Sequence, residues 1–154
     1  KSRSLAGLRL GFALGSPALI SGLERIRDSF NSYTVGYISQ LAGIAAMNDG
    51  AWFEETRSRI IATREKTAAA MLRLGFEVVD SQANFIFVRH PEYTGRFLQQ
   101  ALRDRGILVR RFNQQRIADY LRISIGTGPE MQTLTTALHS ILSPPVAGAG
   151  GPAL

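Results

Sequence analysis

The stretch from Ala51 to Leu74 constrains the fold most. Trp52, Phe53, Thr56, Ile60, Thr67, Met71 and Leu74 fall along it at helical spacing, so one long helix with a single core-facing stripe is expected. Gly75 follows directly and suits a left-handed C-terminal turn. The period then changes. Phe76–Val79 and Asn84–Arg89 read as strands, Thr94–Arg105 as a helix stopped by Gly106, Ile107–Arg110 and Tyr120–Ile125 as strands, and Pro129–Leu142 as a last helix. That order describes a small α+β domain with helices over one face of a sheet.

The part upstream is less complete. Leu8–Leu14 alternates between Gly7 and Gly15 and predicts a strand. Ser16-Pro17 starts a helix that carries Leu19, Ile20, Leu23 and Ile26 and ends near Phe30. A second helix spans about Val35 to Met47 and ends at the turn Asn48-Asp49-Gly50. One strand and two helices cannot close a sheet, so the Leu8–Leu14 strand is expected to belong to a sheet whose other strands lie outside this sequence. The first residue is Lys rather than Met, which reads as a fragment or a processed product. Ser143–Leu154 is rich in Pro, Gly and Ala without a pattern and reads as a disordered tail.

Composition excludes some functions and leaves others open. The 154 residues contain no cysteine and two histidines, which argues against disulfides and against a Cys or His metal site. His90 and His139 have no partner at a catalytic spacing and read as structural. No apolar run is long enough to span a bilayer and no signal peptide is visible, so a cytoplasmic location is the default. The net charge of +6 invites a nucleic-acid reading. However, Arg57, Arg59, Arg64 and Lys66 share a helix with Glu54, Glu55 and Glu65, which reads as a solvated face. Neither nucleic acid nor membrane is expected as a partner.

Four blocks carry possible chemistry. Lys1-Ser2-Arg3-Ser4-Leu5-Ala6-Gly7-Leu8-Arg9 places an amine eight residues before a guanidinium. Leu121-Arg122-Ile123-Ser124-Ile125-Gly126-Thr127 sets an arginine inside an apolar strand. That arginine is either a solvated or carboxylate-paired edge residue or an anion clamp. Gly106–Phe112 ends in Arg110 and Arg111, which suit either a strand reaching solvent or a second anion contact. Ser81–Phe87 places Phe85 and Phe87 on one face of a strand and Ile86 and Val88 on the other. Asn84 at its start reads as a structural hydrogen-bonding residue.

In this order the blocks resemble fold-type I, pyridoxal-phosphate-dependent aminotransferases, most of all the histidinol-phosphate aminotransferases, over Lys1 to about Leu142. The resemblance implies an α+β small domain of a fold-type I aminotransferase, in the α/β superfamily, preceded by a strand and helices left over from the large domain. Residues 1–48 would be the large-domain remnant and 49–142 the small domain, with a connector helix over 51–74 and a tail over 143–154. Lys1 would be the lysine that forms an imine with pyridoxal 5'-phosphate, and Arg9 a ligand of its phosphate. A primary amine can form that bond and then shuttle a proton, and a guanidinium fork matches a phosphate. Arg122 would bind a substrate carboxylate. Arg110, or else Arg111, would help hold a substrate phosphate. Tyr33 would lie near the cofactor or a dimer interface, or simply pack.

The implied activity is transamination between histidinol phosphate and 2-oxoglutarate, within histidine biosynthesis, by a homodimer. Relatives acting on aromatic amino acids or decarboxylating threonine phosphate are the alternatives inside the family. Outside it, the alternative is a catalytically inert module that dimerises through exposed apolar helices. The family's ring-stacking aromatic residue, and the Asp that pairs with the pyridine nitrogen, lie upstream of the lysine. The chain alone is therefore expected to be inactive.

Overall fold

A computed structural model describes residues 3–31, 33 and 35–143. The chain divides into two compact units, Lys1–Arg57 and Ser58–Leu154.

The first unit is helical. Helices α1 (Pro17–Phe30) and α2 (Tyr37–Asn48) start after Ser16 and Gly36, both in extended backbone, and α1 has proline in its first turn as the sequence predicts. Helix α3 (Gly50–Arg73) begins where Asp49 Oδ1 accepts from the Trp52 amide at 3.1 Å, which satisfies one of the free N–H groups of its first turn. The expected strand over Leu8–Leu14 does not form. Ala6–Leu8 is a single 3₁₀ turn and the residues after it join no ladder. A strand exists only against a neighbour, and among the described residues all four strands lie in the second unit. Leu10 instead packs on α2, where its side chain occupies the space a Cβ on Gly43 would need. Neither α1 nor α2 has a buried residue. Leu19, Leu23, Ile26 and Phe30 of α1, and Ile38, Leu41 and Ile44 of α2, are all exposed.

The second unit holds the core. Strands β1 (Glu77–Val79), β2 (Phe85–Arg89), β3 (Arg110–Arg111) and β4 (Leu121–Ser124) form an antiparallel sheet in the order β1-β2-β4-β3. Helices α4 (Gly95–Arg103) and α5 (Gly128–Leu142) complete it. The register pairs Ile86 with Ile123 and Val88 with Leu121, so these four side chains share one face. They are buried with Met71 of α3, Leu98 and Leu102 of α4, and Leu134 and Leu138 of α5. Each such burial stabilises the fold by about 1.5–3 kcal/mol before the entropy of ordering is counted.

Two helices end in the same way. Gly75 and Gly106 have φ of +85° and +75°. The Gly75 amide donates to Leu72 O and the Phe76 amide to Met71 O; Gly106 and Ile107 repeat the pattern on Arg103 and Leu102. These are Schellman turns, and the backbone there favours glycine.

Two further expectations change. Arg64 is not part of a solvated face: it is 7% exposed, and its Nη1 donates to Ala83 O at 3.1 Å. It sits three residues before Thr67 and seven before Met71, and these three are the buried residues of α3, whereas Trp52 and Ile60 of the expected core-facing stripe are exposed. Strand β3 is shorter than the Ile107–Arg110 stretch predicts, because it is an edge strand with β4 alone beside it and Arg110 and Arg111 alone join the ladder. The proposed tail from residue 144 onward lies outside the described residues.

Candidate functional site

The sheet's second face is chemically distinct from its core face. Alternation puts Phe85, Phe87 and Arg89 of β2 opposite to Ile86 and Val88, and Arg122 is the direct cross-strand partner of both Phe87 and Arg110. Arg110 and Arg122 therefore project from the same face. Arg111 pairs with Leu121 and belongs to the core face. Its Nη1 donates to Ala118 O at 3.2 Å and its Nη2 to Asn113 Oδ1 at 2.6 Å. Of the two arginines that end Gly106–Phe112, Arg110 is the one beside Arg122.

Rings floor this face. Phe87 stacks on Tyr120 with centroids 4.6 Å apart and meets Phe112 edge-on at 6.1 Å. The Arg122 guanidinium lies 5.5 Å from the Phe85 centroid and 6.0 Å from that of Phe112, and Arg110 lies 5.2 Å from Phe112. These distances suit cation–π contacts. Arg89 differs, because its Nε donates to Glu77 Oε2 at 2.6 Å. The hydrogen bond from Arg89 to the Glu77 carboxylate, and then the charge of that carboxylate, push the Arg89 pKa up. Among the described residues no carboxylate pairs with Arg110 or Arg122, and Arg122 Nε is buried with no hydrogen-bond partner. Two like charges directly across a ladder repel one another, so the arrangement leaves strong donor capacity to be met by an anion.

The loop carrying Phe112 and Tyr120 is pinned. Asp119 Oδ1 accepts from the Gly95 amide at 3.2 Å, and a Cβ on Gly95 would lie 2.8 Å from the Asp119 carbonyl. Sequence reading missed both rings. The signal was available, since Phe112 has the parity of Arg110 and Tyr120 that of Arg122. His90 is structural as expected, edge-on to Phe76 and Tyr93 at 5.0 Å each.

In the first unit a cavity of about 860 Å³ is lined by Arg3 and Arg9 among mainly apolar side chains, including Leu10, Phe12, Ile44 and Met47. Among the described residues no acidic one lines it. Arg3 is engaged: its Nη1 donates to Asp49 O at 3.2 Å, and the guanidinium sits 3.9 Å from the Phe53 centroid. Arg9 is exposed, has a positive φ of 56°, and its guanidinium has no partner among the described residues. Lys1 lies outside the described residues, and Tyr33 is 90% exposed. Of the site residues read from sequence, Arg9 thus lies in the first unit and Arg110 and Arg122 in the second.

The aminotransferase class I and II family profile matches residues 1–141. The chain belongs to that family. It is 57% identical over 141 residues to a histidinol-phosphate aminotransferase of Chromohalobacter salexigens, and 53% identical over 142 residues to one of Rhizobium meliloti. Each match covers 92% of this chain and 40% of the relative. A solved histidinol-phosphate aminotransferase from Sinorhizobium meliloti, in complex with pyridoxal-5'-phosphate, superposes with a TM-score of 0.82 at 27% identity, over 92% of this chain and 39% of that one. The chain thus spans about 40% of the length of the curated relatives it matches. Among the described residues no helix is long and apolar enough to cross a membrane.

Proposed function

We propose that this chain is the C-terminal part of a pyridoxal-phosphate-dependent aminotransferase that acts on histidinol phosphate and 2-oxoglutarate. The observation that carries the reading is the Arg110–Arg122 pair, cross-strand partners whose guanidinium groups both lie over Phe112 and, among the described residues, pair with no carboxylate. Such a pair suits a phosphate dianion in one half-reaction and a carboxylate in the other. Arg122 would bind the carboxylate and Arg110 the phosphate. Residues 1–48 would be the remnant of the cofactor-binding domain and 49–142 the small domain.

The first unit suits the cofactor. Its cavity falls within the size range of small-molecule sites, which is roughly 300–1,000 Å³, and Arg9 offers an unengaged guanidinium to a phosphate. When bound, pyridoxal 5'-phosphate supplies the electron sink for the substrate α-carbon. Lys1 would hold it through Nζ, and the same amine, once released, would accept and return the α-proton.

The test is glutamate formation from histidinol phosphate and 2-oxoglutarate by the intact protein. Lys1→Ala should abolish it, and Arg122→Met should raise KM for both substrates. Unchanged turnover in Lys1→Ala refutes the reading. A second reading, a catalytically inert module whose partner is another copy of itself, is favoured by the unburied apolar residues of α1 and α2. Absence of any new visible absorption band at saturating pyridoxal phosphate would select it.

A further inference from the structure

Phe112 stands at the junction of the anion-binding face. Among the described residues it is the one ring that lies beneath both guanidinium groups, 5.2 Å from Arg110 and 6.0 Å from Arg122. Phe87 meets it edge-on at 6.1 Å and is itself stacked on Tyr120. Phe112 is half-buried and directly follows Arg111, whose Nη groups bind Ala118 and Asn113 of the same loop. Its ring is therefore held from the sheet side and from the loop side.

The two arginines need such a device. They are cross-strand partners of like charge, and without an anion each guanidinium gains by swinging away into water. An aromatic face attracts both charges at once. It thereby holds them near each other before any ligand arrives.

We propose that Phe112 is a positioning residue that pre-organises Arg110 and Arg122 into one two-pronged clamp. It thereby sets the preference of the site for a dianionic phosphate over a single carboxylate. The inference rests on the reading of Arg110 and Arg122 as substrate-binding residues. A phosphate dianion spans both prongs, whereas a carboxylate is satisfied by one guanidinium. Loss of the ring therefore weakens phosphate binding more than carboxylate binding.

The test is a titration of the full 154-residue chain with inorganic phosphate and with acetate, followed through the Nε–H resonances of Arg110 and Arg122. In the unaltered chain both resonances move together with phosphate. Phe112→Leu should weaken phosphate binding about tenfold, the scale of a cation–π contact to each of two arginines, and leave the acetate affinity within about twofold. Phe112→Tyr, which keeps the ring, should restore phosphate binding. If Phe112→Leu unfolds, Phe112→Met offers similar volume without a ring and makes the same comparison. Equal phosphate affinity in the ringless variant and the unaltered chain overturns the inference, and so does equal weakening in Phe112→Tyr. If Arg110→Ala and Arg122→Ala leave phosphate binding intact, or phosphate moves neither resonance in the unaltered chain, the substrate-binding reading itself fails. If the arginine variants lose binding while Phe112→Leu does not, that reading stands and the positioning role falls.

Discussion

Replacing Gly75 and Gly106 by alanine, one at a time, separates backbone strain from steric conflict in two otherwise matching helix ends. Both glycines lie in left-handed backbone, at φ of +85° and +75°, within the same hydrogen-bonded turn. A Cβ on Gly106 would meet nothing within 4 Å. Its replacement therefore costs the left-handed penalty alone, about 1–2 kcal/mol, less a few tenths regained from the stiffer unfolded chain. A Cβ on Gly75 would lie 3.1 Å from His90 Nε2. His90 has little room to give, since its ring is edge-on to Phe76 and Tyr93 and its Nδ1 accepts from the Glu92 amide at 3.2 Å. Forcing that contact adds about 1–3 kcal/mol, so Gly75→Ala should cost about 2–5 kcal/mol in all. Urea unfolding of the two variants measures the difference directly. Adding His90→Ala to Gly75→Ala should recover at least about 1 kcal/mol in a double-mutant cycle. If Gly106→Ala is as destabilising as Gly75→Ala, or the cycle shows no coupling, the steric argument is wrong.

Two further outcomes follow from the geometry. At the start of α5 the Thr127 amide and hydroxyl donate to Glu130 Oε2 at 2.6 and 2.9 Å, and these bonds, the amide first, hold the Glu130 carboxyl below its usual range. The charged form is the one bound in the folded state, so its contribution is complete above the unfolded carboxylate pKa and fades as pH falls through the lower folded value; the stability gap between the unaltered chain and Glu130→Ala should be clear at neutral pH and close in acid, and a gap of equal size at both would refute this. If α1 and α2 mediate self-association, Ile26→Glu or Ile38→Glu should shift sedimentation equilibrium toward monomer, whereas an unaltered chain that stays monomeric at high concentration would rule out their interface role.

The second unit was largely legible in its sequence because its signals are local. The later turns of α3, with Thr67 and Met71 buried, and the two glycine turns each need only near neighbours to be recognised. So does the alternation of β2 and β4, which fixed in advance that Phe85 and Phe87 oppose Ile86 and Val88. What was misread depends on distant partners. Leu8–Leu14 has a strand's alternation, but a strand is made by its neighbour. Arg64 carries a charge on the buried side of α3, and its residue type outweighed its position until the Ala83 carbonyl appeared opposite it. The arginines of the candidate site stood out by composition and resemblance. The rings beneath them did not, because Phe112 and Tyr120 come together only when the β3–β4 loop folds back over Phe87.

The central claim is that Lys1 carries the cofactor this family uses. Incubating the intact protein with pyridoxal 5'-phosphate, reducing with borohydride and locating the tagged lysine by peptide mass spectrometry tests it in one step. Lys66 is the other lysine of the sequence and serves as an internal control. Stoichiometric tagging at Lys1 with Lys66 unmodified is the predicted result, and tagging at Lys66 or at neither would contradict the account.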